Sequence, residues 1–201
     1  EYGYDAQGNP TLRTDPLTHA THTRYDALDR LTQTEDALQG LTDFVLDSQD
    51  SISAITDPKR LTTAYEVDAF GQTRSETSPD RGITTYTYDP AGNLKTRTDA
   101  RGKTLTYSYD ALNRLTKIDR PTSPDNNYTW DQGDNGLGRL TGIGDETGNT
   151  TWTYNEYGEV TLKSQNHVAG GALTRSLAST YQNGRLTRLA YPSGAAVDYV
   201  W

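Results

Sequence analysis

The chain has 201 residues, of which 32% are apolar, and a formal net charge of −8 with a pI of about 4.8. It has no cysteine, no apolar run near the roughly 20 residues that span a bilayer and no basic cluster, so the sequence excludes disulfides and thiolate metal sites and argues against a membrane span or a nucleic-acid partner. A mean hydropathy of −0.83 suits disorder, but 14 tyrosines, 3 tryptophans and a regular repeat favour a folded chain.

A repeat of 21 residues runs along the chain from its beginning. Its units start at an aromatic or apolar residue, and the first six steps are 21 residues each. The steps then become 24, 27 and 20 residues, the last of them ending at Trp201. We predict one repeat array over residues 1–201, with nine units starting at Tyr4, Tyr25, Leu46, Val67, Tyr88, Tyr109, Trp130, Tyr154 and Tyr181.

Each unit begins at the end of a predicted strand. The starting residue and the residue two places before it are aromatic or apolar in most units, whereas the residue between them is usually polar. A spacing of two puts both side chains on one face of a strand. We predict a ladder that packs neighbouring hairpins together, formed by Tyr4, Tyr25, Tyr65, Tyr86, Tyr88, Tyr107, Tyr109, Tyr128, Trp130, Trp152, Tyr154 and Tyr181.

A turn follows each start. The next residue is usually aspartate, whose side chain can accept a hydrogen bond from the backbone two residues on. The fourth residue after the start is glycine, asparagine or aspartate, the types that tolerate positive φ. The predicted structural turn residues are Gly8, Asp29, Asp50, Gly71, Gly92, Asn113 and Gly158.

A return strand and a second turn complete the unit. The return strand is Leu94–Thr98 in the unit that starts at Tyr88, and Asp99 and Gly102 mark the second turn. Two strands of about six residues and two turns of about four account for the period. The sequence therefore predicts an all-β fold of antiparallel hairpin repeats.

Three segments depart from the regular pattern, and we expect them to protrude from the sheet. Residues 120–127 contain two prolines, residues 131–138 are rich in glycine, and residues 167–173 are an insertion that contains Gly170 and Gly171.

Several residue patterns could indicate chemistry, but the repeat explains them better. His19 and His22 lie in turn and strand and lack a third metal ligand, and the aspartates fall at turn positions rather than in a calcium-binding pattern. A catalytic site is singular, whereas the carboxylates recur in every unit. We predict no catalytic, metal or cofactor residue and no enzymatic activity. Sugar binding by an exposed aromatic strip stays open as an alternative.

The motif resembles the YD repeat, also called the RHS repeat. It reads Tyr-Asp-Pro-Ala-Gly-Asn-Leu from Tyr88 and Tyr-Asp-Ala-Leu-Asn-Arg-Leu-Thr from Tyr109, and the stretch from Tyr25 differs from the latter only in Asp29 for asparagine. The resemblance implies that the hairpins form one long, curved antiparallel sheet, which spirals into a hollow shell.

The resemblance also implies a structural role, since such shells enclose a toxin domain carried after the repeats. The implied partners are the remaining repeats of the shell and this C-terminal toxin. The implied setting is secreted or cell-surface and bacterial, with delivery by a secretion system in competition between bacteria. We expect the chain to be a section of such a protein and to self-associate through its sheet edges. The alternative is a surface adhesion or carbohydrate-binding module.

Overall fold

The computed structural model describes residues 1–168 and 173–201, which form nineteen strands and no helix. The glycine pair predicted in the insertion, Gly170 and Gly171, lies outside the described residues. Within the described ranges there is no helix that is long and apolar enough to cross a membrane. The strands are β1 (Tyr2–Tyr4), β2 (Pro10–Thr14), β3 (Ala20–Tyr25), β4 (Leu31–Glu35), β5 (Leu41–Leu46), β6 (Ile52–Thr56), β7 (Thr62–Val67), β8 (Thr73–Ser78), β9 (Gly82–Tyr88), β10 (Leu94–Thr98), β11 (Thr104–Tyr109), β12 (Leu115–Asp119), β13 (Asn126–Trp130), β14 (Leu140–Asp145), β15 (Gly148–Tyr154), β16 (Val160–His167), β17 (Leu173–Gln182), β18 (Arg185–Ala190) and β19 (Ala196–Asp198).

Hydrogen bonds assign these strands to one antiparallel sheet, which confirms the predicted all-β fold of hairpin repeats. The chain divides into two compact parts, residues 1–87 with 97–103 and residues 88–96 with 104–201. In the first part the successive strands from β1 to β9 pair with one another. In the second part the successive strands from β11 to β19 do the same. Pairing between sequence neighbours follows from short turns, which return the chain beside the strand it has just left.

Neither part has a buried apolar core. No apolar side chain of the described residues is buried, and the buried polar side chains are those of Ser78, Thr84 and Thr141. The burial pattern of the first strand of each hairpin alternates instead, as in β11, where Tyr107 and Tyr109 are half-buried and Ser108 is exposed. This alternation is the period-2 pattern of a strand with one covered face.

A β-bulge interrupts the hairpin at the unit start. In the hairpin of β11 and β12, Ser108 lies opposite Lys117 and Tyr109 lies opposite Leu115, which leaves Thr116 without an opposite residue. The register shifts in the same way at Tyr4, Tyr25, Leu46, Val67, Trp130, Tyr154 and Tyr181. A bulge places two residues of one strand opposite one residue of the other and disrupts the ladder locally.

The bulged residue carries its own hydrogen bond. The Thr116 hydroxyl donates to the backbone carbonyl of Ser108, which directly precedes the unit start, at 3.1 Å. Thr32, Ser53, Thr141 and Thr187 make the equivalent bond, at 3.2, 3.2, 3.1 and 3.1 Å. The threonine of the Leu-Thr motif therefore stabilises the carbonyl at the disrupted point of the ladder.

We expect Thr116→Val to lower the free energy of unfolding by about 0.5–1.5 kcal/mol. Valine keeps the branched shape that suits a strand and removes only the hydroxyl donor. The measurement is chemical denaturation followed by circular dichroism. Thr151→Val is the matched control, because Thr151 is an exposed strand residue that lies outside any bulge. Equal losses in the two variants would show that the hydroxyl at the bulge has no special role.

Candidate functional site

Seven of the turns after the unit starts share one hydrogen-bonded geometry. In the turn at Asp89, the Oδ1 atom accepts the backbone N–H groups of Ala91 and Asn93, both at 2.9 Å. The N–H of Gly92 donates to the carbonyl of Asp89 at 3.0 Å, and the N–H of Asp89 donates to the carbonyl of Asn93 at 2.9 Å. The backbone reverses direction here, so these two N–H groups have no acceptor on a neighbouring strand. One carboxylate accepts both of them instead.

In these seven turns, the residue three places after the opening aspartate, or after Asn155 in the last of them, has positive φ. This is the position of all seven predicted turn residues, with φ of 92° at Gly8, 59° at Asp29, 63° at Asp50, 77° at Gly71, 86° at Gly92, 59° at Asn113 and 83° at Gly158. The left-handed region is accessible to glycine, asparagine and aspartate at low steric cost, so the residue types match the conformation.

The second turns have the same hydrogen bonds but less suitable residues. Asp15 accepts the N–H groups of Leu17 and His19 at 2.8 and 2.9 Å, and Thr18 has a φ of 66°. Gln39 and Arg60 occupy the equivalent positions, with φ of 65° and 66°. A β-branched residue such as threonine is strained in this region. The carboxylate bonds of the turn must therefore outweigh the backbone preference of Thr18.

In four units, the residue that follows the left-handed position links consecutive turns. Arg114 donates from Nε to Asp110 in its own turn at 2.7 Å, and from Nη1 and Nη2 to the two carboxylate oxygens of Asp131 in the next unit at 2.9 and 2.5 Å. Two parallel bonds between a guanidinium and a carboxylate fix both distance and orientation. Arg114 thus joins two repeats that are separated by 17 residues along the chain.

An arginine or asparagine at the same repeat position makes the equivalent link in three other units. Arg30 bonds Asp26 in its own turn and Asp50 in the next, at 2.8 and 2.5 Å. The amide of Asn93 bonds Asp89 and the turn residue Asn113, at 3.1 and 2.8 Å. The amide of Asn9 does so with Asp5 and Asp29, at 3.1 and 2.8 Å. The residues Asn9, Arg30, Asn93 and Arg114 are called the connectors below.

The aromatic residue at the unit start adds a second link to the preceding unit. Its polar atom donates to the backbone carbonyl of the first or second residue of the preceding return strand. The bonds are Tyr25 to Pro10 at 3.2 Å, Tyr109 to Leu94 at 3.0 Å, Trp130 to Leu115 at 2.8 Å, Tyr154 to Leu140 at 2.6 Å and Trp201 to Leu186 at 2.8 Å. A half-buried ring with a polar tip suits this position, because the ring covers the sheet while the tip satisfies a carbonyl.

Arginine covers several of these rings. The guanidinium carbon of Arg114 lies 4.9 Å from the ring centroid of Trp130, and that of Arg139 lies 5.6 Å from the centroid of Tyr154. These distances are within cation–π range. Arg139 also fills the space beside Gly158, where an added Cβ would lie 2.1 Å from the guanidinium. Glycine thus suits the φ of 83° at position 158, and the Arg139 guanidinium occupies the space beside it.

The predicted ladder residues are half-buried, except Tyr4, which is 62% exposed. Ring stacking occurs within β19 and the residues that follow, where Tyr199 and Trp201 have centroids 6.4 Å apart. Between repeats, the contacts of the unit-start rings are the hydrogen bonds and the arginine contacts described above. Direct packing of the ladder rings on one another therefore stays a prediction.

The three irregular segments have defined structures where they are described. Asp125 accepts the N–H of Arg120 at 3.1 Å in the proline-containing turn between β12 and β13. The glycine-rich loop closes through Asp131, whose carboxylate accepts the N–H of Gly138 at 2.6 Å. His167 is the last residue of β16 and is paired with Leu173, so it belongs to the sheet rather than to an insertion.

The two histidines considered as metal ligands, His19 and His22, have different positions and different neighbours. The His19 ring faces Asp15 at 3.0 Å in the second turn of its unit, and His22 is a strand residue opposite Leu12 and Glu35. Residues 1–168 and 173–201 contain no group of three acidic or histidine side chains placed to hold a metal ion.

The hydrogen bonds of the turns shift the carboxylate pKa values. Side-chain hydrogen bonds from Arg114, followed by the N–H of Gly138, lower the pKa of Asp131 from 3.8 to about 2. The pKa of Asp89 is lowered chiefly by the side chain of Asn93, and that of Asp26 chiefly by the side chain of Arg30. Hydrogen bonds to the ionised form favour ionisation, which accounts for the direction of these shifts.

Sequence reasoning found the turns and the strands but missed the connectors and the bulges. The Asn or Arg of the motif was part of its recognised pattern, and the recurrence of a side chain with N–H donors at this position was the available signal. The hydroxyl-bearing residue after the motif leucine was likewise visible as Thr32, Thr116, Thr141 and Thr187. Their roles depend on the register between strands, which the sequence does not state.

Comparison with known proteins gives both a family match and structural neighbours. The family model described as RHS Repeat matches residues 4–42, 67–104 and 88–123, and each match begins at a unit start. No curated protein matches the chain.

The Photorhabdus luminescens Tc holotoxin pore with a mutation in TccC3 aligns with 98% of this chain at 16% identity and a TM-score of 0.58, over 14% of its own chain. A crystal structure of TcdB2-TccC3-TEV aligns with 96% of this chain at 13% identity and a TM-score of 0.52. The alignment covers 15% of that structure's own chain. The likeness at these identities is one of fold.

We expect Gly92→Val to lower the free energy of unfolding by about 1–2 kcal/mol or more, because a β-branched residue resists the φ of 86°. Thermal and urea denaturation measure the change. Ala91→Val is the control, since Ala91 is an exposed neighbour without positive φ. The converse variant, Thr18→Asn, places a tolerant residue at a strained position and should stabilise the chain. Identical stability of all three variants would contradict the assigned turn conformation.

We expect the stability of the chain to fall as the pH is lowered from about 4 to about 2. Asp131 has a folded pKa of about 2, below its usual 3.8, so its contribution is complete above the unfolded pKa and is lost as the pH falls through the folded pKa. The measurement is the melting temperature at pH 6, 4, 3 and 2. Asp131→Asn should melt lower at pH 6 and lose less on acidification. A parallel pH profile in this variant would exclude Asp131 as a source of the effect.

Proposed function

Because the chain belongs to the RHS-repeat family, we propose that it is a non-catalytic section of a β-sheet shell that encloses a cargo domain. In this proposal the hairpins form a wall, and the mechanism is the formation of a compartment. The partners are the other repeats of the shell and the enclosed cargo, a toxin domain. The setting is a secreted or cell-surface protein of bacterial origin.

The observation that carries the proposal is the lack of a buried core in the described residues. Free-standing domains are stabilised mainly by burying apolar surface. Here the side-chain connections run between neighbouring repeats, through the connectors and the unit-start rings. This is the arrangement of a repeat array, in which each repeat is stabilised by its neighbours and the array can be extended in length.

Exposed apolar side chains at the tips of the turns also support the proposal. The side chains Leu28, Phe70, Leu112, Leu137 and Tyr157 are 70, 88, 70, 80 and 79% exposed. The turn conformation does not require an apolar tip, because Gln7 and Gln49 occupy the same place in other units. Repeated apolar groups on a surface are typical of regions that contact other protein. In a shell they would contact further parts of the wall or the cargo.

The structural neighbours support the toxin setting. Both are described as containing TccC3, and one is described as a Tc holotoxin pore. This chain spans about 15% of the length of these chains, so a section of a wall is the role that its size suits.

A second candidate function is carbohydrate binding at the aromatic end of the second compact part. A cavity of about 590 Å³ is lined there by residues that include Arg185, Tyr199 and Trp201. Trp201 is 70% exposed, and Arg185 lies 5.8 Å from its ring centroid. Exposed aromatic rings beside polar groups can stack on the apolar face of a sugar. The predicted ladder residues other than Tyr4 are half-buried in the sheet, so they do not form an exposed strip.

The shell proposal is tested on the natural gene product that contains these repeats. We expect hollow particles by electron microscopy and a domain that resists protease in the intact protein. Replacing Arg114 and Asp131 together with alanine removes the bidentate link between two repeats and should make that domain cleavable. Lys59→Ala, at an exposed turn position, is the control and should leave protection intact.

Cleavage of every segment at the same rate in the unaltered protein would exclude an enclosed cargo. A glycan array probed with the 201-residue chain separates the second candidate function from the first. The shell proposal predicts no selective signal, and a signal lost in Trp201→Ala would favour carbohydrate binding.

A further inference from the structure

Three arginines meet at one cavity in the first compact part. The cavity has a volume of about 310 Å³ and is lined by Arg81, Thr84, Arg97, Asp99, Ala100 and Arg101. The arginines come from a turn, a return strand and the next turn, so the sequence shows no basic run at any of these places. The fold produces a local excess of positive charge in a chain whose net charge is −8.

The cavity lies where the repeat pattern breaks. Most other second turns begin with an aspartate, as at Asp57 and Asp99, but the turn before β9 begins with Ser78, which is 8% exposed. This turn is also tight, since Ser78 pairs directly with Gly82. An added Cβ at Gly82 would lie 2.8 Å from the Cβ of Ala100, so the backbone of one turn packs against the next. This close approach brings Arg81 and Arg101 to the same cavity.

The acidic groups nearby engage two of the three arginines. Arg81 donates to Glu76 at 2.5 Å, and Glu76 also accepts the hydroxyl of Tyr86 at 3.3 Å. Arg101 donates to Asp99 at 2.8 Å. Arg97 is half-buried, and its side chain has no ion pair or hydrogen bond within the described part of the chain. A partly desolvated guanidinium without an acceptor costs free energy, which a bound anion would recover.

The size and donors of the cavity indicate the kind of anion. The volume is about ten times the ~30 Å³ that one water occupies in the liquid, so a multi-atom anion fits. Guanidinium groups match the geometry of phosphate and carboxylate oxygens, and Thr84, which is 7% exposed, adds a hydroxyl donor. Asp99 is the single acidic residue of the lining, and it faces Arg101.

We propose that this cavity is a binding site for a multivalent oxyanion, either a phosphate ester or a polycarboxylate, with Arg97 as its central ligand. The site is independent of the proposed shell function, since it requires only the first compact part. It is also singular. Arg13 occupies the same repeat position as Arg97, nine residues after a unit start, but it is exposed and outside the cavity.

The test is isothermal titration calorimetry of the 201-residue chain at low ionic strength, with pyrophosphate in one series and citrate in the other. We expect saturable binding at one site. Arg97→Gln should weaken the affinity at least tenfold, because it removes the unpaired guanidinium. Arg13→Gln changes the net charge by the same amount and should leave the affinity unchanged.

Arg101→Gln is the second variant. The Arg101 side chain is 76% exposed, so its loss should weaken binding without affecting the fold. Melting curves verify that each variant is folded. If Arg97→Gln does not fold, the anion affinity of Arg101→Gln is the test of the proposal. Selective binding of pyrophosphate assigns the site to phosphate esters, and selective binding of citrate assigns it to carboxylates. Absence of saturable binding in both series, or equal weakening by Arg13→Gln, would overturn the proposal.

Discussion

The structure depends on one interaction, the acceptance of two backbone N–H groups by the carboxylate or amide oxygen that opens each regular turn. No described apolar side chain is buried, so the hairpins lack the usual core that would hold a reversing chain in place. At Asp26, Asp47, Asp68 and Asp110 the carboxylate replaces the missing ladder partners, and Asn155 does the same with its amide oxygen. The recurrence of acidic residues, and much of the net charge of −8, follows from this requirement.

The connectors extend this local interaction along the sheet. An aspartate that has accepted two N–H groups through Oδ1 still has Oδ2 available, and Arg30 and Arg114 bind that atom before they reach the next turn. Asparagine can replace arginine where the acceptor in the next unit is itself a turn residue, as for Asn93 and Asn113. The same turn geometry is therefore compatible with a charged or a neutral connector. The surface charge of the sheet can vary in this way without a change in strand register.

The strands could be predicted from the sequence, whereas several features of the turns and of the links between repeats could not. The strands follow from the period-2 alternation, and the predicted return strand Leu94–Thr98 is identical to β10. The left-handed conformation of Thr18, Gln39 and Arg60 could not be read from residue type, because the carboxylate bonds of the turn override the backbone preference. The connectors and the bulged threonines depend on inter-strand register, which requires the structure. The meeting of Arg81, Arg97 and Arg101 requires it for the same reason.

In such a fold, a residue that recurs in successive repeats has a structural partner, whereas a departure from the repeat can leave a side chain available for binding. A residue that recurs at the same position of successive units has a partner in those units, as Asp47 has in the backbone N–H of Gln49 and Arg114 has in Asp131. The turn from Ser78 to Gly82 lacks the opening aspartate, and it lies next to the half-buried Arg97, for which the described chain supplies no acceptor. An array held together by repeated short-range contacts can tolerate one such irregularity, because neighbouring repeats keep their own hydrogen bonds. Departures from the repeat are therefore the places where a structural array can acquire a binding site.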